Sequence, residues 1–183
     1  MTISYVRFLT ACLLMTLTVG ASAQDAAQRE HIDYWSVWAD ARGMTHQTQC
    51  RLTNLSLETF APPAAPEWVS HGDPQAKRLV FNVAPVGWVG SWHRNPALQW
   101  VIPLEGHWFV ETSDGRRRTF GPGEMMLGGD QGAHEINGHE GHLSGTVGNT
   151  PVRIMVIQLD HTTFTPSKEP CQAGGEPIDG PRQ

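Results

Sequence analysis

The sequence predicts an all-β domain, a sandwich or barrel of short strands. Two observations carry this. Along positions 79–162, short apolar runs alternate with turn signals about every eight to twelve residues. And beyond the first 23 residues no long apolar stripe of helical period appears.

The chain opens with a segment of a different kind. "MTISYVR" carries one positive charge, Arg7, "FLTACLLMTLTVG" is an apolar run of 13 residues, and "ASA" at 21–23 places small residues where a signal peptidase reads them. This pattern is a secretory signal, too short for a stable membrane span, with cleavage expected after Ala23 and export to the periplasm or beyond. "LTAC" at Cys12 fits a loose lipidation pattern, but most of the apolar run lies after it. No membrane association is expected once the signal is removed.

The mature chain then has 160 residues, enough for one domain with a real core. Residues 24–78 read as an N-terminal arm and strand extension packing on the body. "DYWSVWAD" supplies two tryptophans to that contact, and "QCRLTNLSLETF" alternates imperfectly as a strand. "APPAAPEWVSHGDPQAK", with four prolines in 17 residues, reads as a connecting loop. Strands follow at "RLVFNVAPV", "LQWVIPL", "GHWFVETS", "RRRTF", "EMML", "LSGTV" and "VRIMVIQL". Pro103 cannot donate to a ladder, so it requires an edge, a bulge or a strand end. Residues 163–183, rich in Pro, Gly and charge, read as a flexible tail.

Charge and cysteine content narrow the partners. The signal takes one of 13 basic and none of 18 acidic residues, so the net charge moves from −5 to −6 on cleavage. The "RRR" at 116–118 is the largest basic cluster, and it follows the hairpin turn "SDG"; nucleic acid is not an expected partner. Cys50 and Cys171 survive cleavage. In an oxidising compartment they are candidates for a disulfide; a buried thiol plus a loose one in the tail is the alternative.

The chemistry concentrates around "HRNPALQ" at 93–99, preceded by Gly90 and followed by Gly106. In this order and spacing the chain resembles the cupin superfamily over roughly residues 79–158. The family motif runs glycine, His-x-His, glutamate, glycine. His93 stands at the first histidine, Asn95 where the second would be, and Gln99 where the glutamate would be. The strand "GHWFVETSDG" and the "FGPGE" turn are similar as well. The resemblance implies a small double-stranded β-helix, or jelly-roll barrel, and a site inside it. A homodimer is compatible with it.

The second family motif ends on a histidine at the start of a strand. Counting forward from Gly123 reaches His134. Counting back from the turn proline, Pro151, reaches His142, with "LSGTV" following it. The backward count is preferred, because the barrel sets a strand's length while a loop absorbs insertions. His134 and His139 then sit on a lengthened loop beside Glu135 and Glu140.

The expected site is therefore His93, Gln99 and His142, with Asn95 beside them. His93 and His142 are the candidate catalytic residues. Asn95, Gln99, Trp100, Asp130 and Gln131 are candidates for holding substrate, although packing alone also accounts for Trp100 and turn formation for Asp130 and Gln131. The resemblance implies either one divalent transition metal (Fe, Mn, Ni or Zn) on His93, Gln99 and His142, with His134 as the alternative to His142, or none. An amide oxygen is a weaker ligand than the carboxylate it replaces, so a glutamate at 99 would be expected to raise metal affinity. With a metal, open positions take substrate or oxygen. Without one, a histidine serves as base on an acidic C–H, as in isomerases and lyases. The competing expectation is a module that binds a small, sugar-like molecule without turning it over.

Overall fold

The structure is a computed structural model that describes residues 30–71, 75–160 and 169–178. The expected signal segment lies outside the described residues. All regular structure among those residues is β, with no helix, and none therefore long and apolar enough to cross a membrane.

Twelve strands are found among the described residues: β1 (Ile32–Ala39), β2 (Thr45–Leu52), β3 (Leu55–Glu58), β4 (Glu67–Ser70), β5 (Ala76–Ala84), β6 (Gln99–Glu105), β7 (His107–Thr112), β8 (Arg117–Phe120), β9 (Met126–Gly129), β10 (His142–Val147), β11 (Val152–Leu159) and β12 (Gly175–Pro177). They form a seven-stranded mixed sheet in the order β12-β2-β1-β9-β6-β11-β5, a three-stranded sheet β10-β7-β8 and the hairpin β3-β4. β1 and β9 run parallel, and the other paired strands run antiparallel.

The two larger sheets are joined by an apolar cluster that includes Val37, Val101, Val110, Phe120, Met126, Ile154 and Val156. Full burial of such a side chain stabilises by about 1.5–3 kcal/mol. This cluster is what fixes the facing of the two sheets, and with it the inward direction of positions 99, 101, 156 and 158. A second cluster lies on the opposite face of the large sheet, around Tyr34, Cys50, Leu98, Leu127 and Leu159.

Four expectations are corrected. The sheets do not close into a barrel. After β5, residues around Pro85, Gly87 and Gly90 interrupt the ladder, and the chain follows β10 only by isolated bridges, Val89 to Gly145 and His93 to His142. Residues 30–46 are not an arm: β1 pairs with both β2 and β9 inside the large sheet. Because β1 is covered on both faces, its tryptophans show no clean alternation in the sequence. The proline-rich stretch is not all loop, since β4 within it pairs with β3.

The C-terminal stretch is not a free tail over residues 169–178. β12 adds to the edge of the large sheet against β2, Gln172 and Ala173 are buried, and Cys171 is bonded to Cys50 across 121 positions of sequence. Its composition argued for disorder, but a covalent bond and a strand edge hold a polar segment that could not fold alone. Residues 163–168 and 179–183 lie outside the described residues. Pro103 meets the requirement placed on it: the β6–β11 register shifts between Arg153 and Ile154, beside the Ile154–Pro103 pair.

Candidate functional site

Gly141 sets the start of β10 at a positive φ of 77°, and a Cβ there would run into the His93 carbonyl. Only glycine allows this approach. The backbones of His93 and His142 consequently bond in both directions, at 3.0 and 2.9 Å, and their rings lie 4.5 Å apart between centroids. His142 sits at the start of the strand, one residue earlier than "LSGTV", and faces inward.

Its Nδ1 lies 2.7 Å from Asp130 Oδ2, with both side chains buried. Asp130 Oδ1 accepts from the Asn95 backbone N–H at 2.9 Å and from Asn95 Nδ2 at 2.7 Å. Asn95 Oδ1 accepts from Gln99 Nε2 at 2.8 Å, and Gln99 Oε1 accepts from Gln158 Nε2 at 3.1 Å. One polar chain thus runs His142–Asp130–Asn95–Gln99–Gln158 through the space between the sheets. Asn95 and Gln99 each donate in one direction and accept in the other, and Asp130 accepts from both sides, which satisfies buried polar atoms that would otherwise cost stability.

The chain fixes two protonation features. Burial by itself pushes the Asp130 carboxyl upward. The hydrogen bond and charge of His142, with the two Asn95 donors, outweigh it and hold Asp130 below its ordinary value. An ionised Asp130 accepts only, so His142 Nδ1 carries a proton toward it. His93 shows the same polarity, its Nδ1 lying 2.7 Å from the Ser91 carbonyl. In the neutral form each ring then presents Nε2 as the basic nitrogen.

His93 also lines an open cleft of about 440 Å³ with Trp92, Arg94, Asn95, Pro96, Gln131 and Glu140. Trp92 stacks on His139 at 4.0 Å between centroids, and Arg94 pairs with Glu140 at 3.1 Å. Gln131 Nε2 donates to the Gly128 carbonyl at 3.1 Å, holding the loop that carries Asp130. His93 is exposed, whereas His142 is 3% exposed.

The sequence-derived candidates therefore separate. His93, Asn95, Gln99, Asp130 and His142 are brought together, with Gln131 at their edge. Trp100 is not among them: it packs on the opposite face of the large sheet, edge-on to Tyr34 at 5.0 Å. Inward and outward positions alternate along β6, so Gln99 and Trp100 cannot both face the site. His134 is exposed on the loop, its backbone N–H bonded to the Gly43 carbonyl. Gln158 was missed, although a glutamine at an inward position of "VRIMVIQL" was a legible signal.

The donors do not match the metal frame. The oxygens of Gln99 and Asn95 are both occupied within the polar chain, and Asp130 is engaged by His142 and Asn95. Two imidazoles remain. Among the described residues no group of three or more His, Cys, Asp or Glu side chains could hold a metal ion.

No protein-family model and no curated protein matches the chain. Among solved structures it is similar to protein NMB1881 from Neisseria meningitidis, at 18% identity over 48% of this chain and 82% of that one, with a TM-score of 0.33. A likeness at that score carries no argument about function.

Proposed function

We propose that the chain is an exported, jelly-roll domain of the cupin kind that moves a proton on a small carbonyl compound, without a metal. The observation that carries this is the buried His142–Asp130 pair beside the exposed His93 at the wall of a cleft. A base needs a partner that stabilises the charge it acquires, and His142 has one in Asp130. Asn95, Gln99 and Gln158 in turn hold that carboxylate in place.

In this reading a substrate enters past His93, and its acidic C–H is presented to His142 Nε2. The proton passes to Nε2, the C–H electron pair moves into the adjacent carbonyl, and an enolate results. The imidazolium is stabilised by Asp130, which stays ionised. Return of the proton to the other face gives isomerisation; loss of a leaving group gives elimination.

Proton NMR in D2O tests this with a panel of small 2-oxo acids and keto sugars. Deuterium entering next to the carbonyl, and lost in both His142→Ala and Asp130→Asn, is the expected result. Wash-in that survives either substitution would overturn it. Binding without any wash-in favours the second reading, a module that holds a small sugar-like molecule. That reading draws support from His93, whose Nδ1 partner is a backbone carbonyl rather than a carboxylate. Export is tested separately by sequencing the N-terminus of protein recovered outside the cytoplasm, where Gln24 is expected first.

A further inference from the structure

β9 ends in Gly128 and Gly129, and the next residue is Asp130. The two glycines are pressed from opposite faces of the sheet. A Cβ on Gly128 would lie 2.5 Å from the Asn95 amide carbon, and a Cβ on Gly129 would lie 2.8 Å from Gln172 Nε2. Asn95 is the inner clamp and already belongs to the polar chain. Gln172 is the outer one, and it comes from the C-terminal segment.

That segment is held at four points. Cys171 is bonded to Cys50, Tyr34 donates its hydroxyl to the Gln172 carbonyl at 2.6 Å, β12 pairs with β2, and Gly175 lies against the Tyr34 hydroxyl. Burial pushes the Tyr34 hydroxyl upward in pKa, so it stays a donor at all ordinary pH. Gln172 is buried at 3% exposure.

We infer that the disulfide-anchored segment 170–175 is part of the site, and that Gln172 is a positioning residue which sets Asp130, and through it His142, by pressing on Gly129 from outside. The inference rests on the reading of His142–Asp130 as the working pair, but its geometry does not depend on any substrate. Packed strands transmit such a displacement because neighbouring side chains leave no slack.

The test is a double-substitution cycle read by NMR of the disulfide-bonded protein with ¹⁵N-labelled histidine. The readout is the solvent exchange rate of the His142 Nδ1 proton, which reports whether Asp130 still holds it and needs no substrate. Gln172→Ala removes the clamp and should speed this exchange at least tenfold, with backbone spectra otherwise conserved. Gly129→Ala should do the same by colliding with the Gln172 amide. In the Gly129→Ala/Gln172→Ala protein the new methyl occupies the vacated space, and exchange should return to within about threefold of the parent. Cys50→Ser/Cys171→Ser should reproduce the effect of Gln172→Ala. Additive effects in the cycle, or unchanged exchange in Gln172→Ala and the cysteine variant, would overturn the inference while leaving the D2O experiment standing on its own.

Discussion

His142 and Asp130 are buried against each other with 2.7 Å between Nδ1 and Oδ2, at 3% and 0% exposure. The pair joins the first residue of β10 to the loop that leaves β9. A strand of one sheet and the loop leaving a strand of the other thus share one charged hydrogen bond.

His142→Ala and His134→Ala should behave very differently. The first removes a group from the converging set and should abolish ligand binding or turnover. The second removes an exposed loop side chain and should leave either within a few fold. Calorimetry or NMR titration with whichever compound of the D2O panel binds decides between them. The reverse ranking would place the site on the loop.

Asp130 makes stability depend on acid. Its folded pKa is lowered, so its contribution is present above the ordinary carboxylate value of about 4 and is lost as pH falls through the lower folded value. Asp130→Asn should cost roughly 3 kcal/mol near neutrality, because it leaves His142 without its anionic partner. The loss should shrink as pH falls from about 4, where the unfolded chain takes up the proton, and vanish below the lower folded value, where the folded parent protonates Asp130 too. Urea unfolding at a series of pH values measures it. A constant difference from pH 7 down to 2 would contradict the assignment.

Gln99→Glu separates the metal frame from the polar chain. The motif spacing expects a gain in metal affinity of an order of magnitude or more. The hydrogen bonds expect the reverse: a carboxylate at 99 cannot donate to Asn95 Oδ1, which is already fixed by the bonds of Asn95 to Asp130. The expected outcome is a loss of about 1–3 kcal/mol and no retained metal. Elemental analysis and thermal unfolding of untagged protein check both halves.

Reducing the Cys50–Cys171 bond opens a loop closed over 121 positions. The chain-entropy relation gives up to about 4–5 kcal/mol for a loop of that size. Peptide mass spectrometry without reductant should recover the two cysteines joined. The denaturation midpoint should fall when a dithiol is added. Two freely alkylated thiols in the native protein would exclude the bridge.

Read alone, the residues determined the all-β class and the positions of most strands, because alternation and turn chemistry are local. "VRIMVIQL" coincides with β11 residue for residue, and "GHWFVETS" encloses β7. The placement of His142 at a strand start was legible too, because strand length constrained the count. What tertiary structure alone decided was everything that depends on pairing across long separations. No local pattern says that β1 lies inside the large sheet, that residues 169–178 are held to β2, or that Asp130 turns to His142 instead of solvent. Nor does spacing reveal that the amides of Asn95, Gln99 and Gln158 bond to one another. A motif lists the side chains that share a neighbourhood, but the direction of each hydrogen bond is set by the packing of strands that the sequence brings together from as many as 59 positions apart.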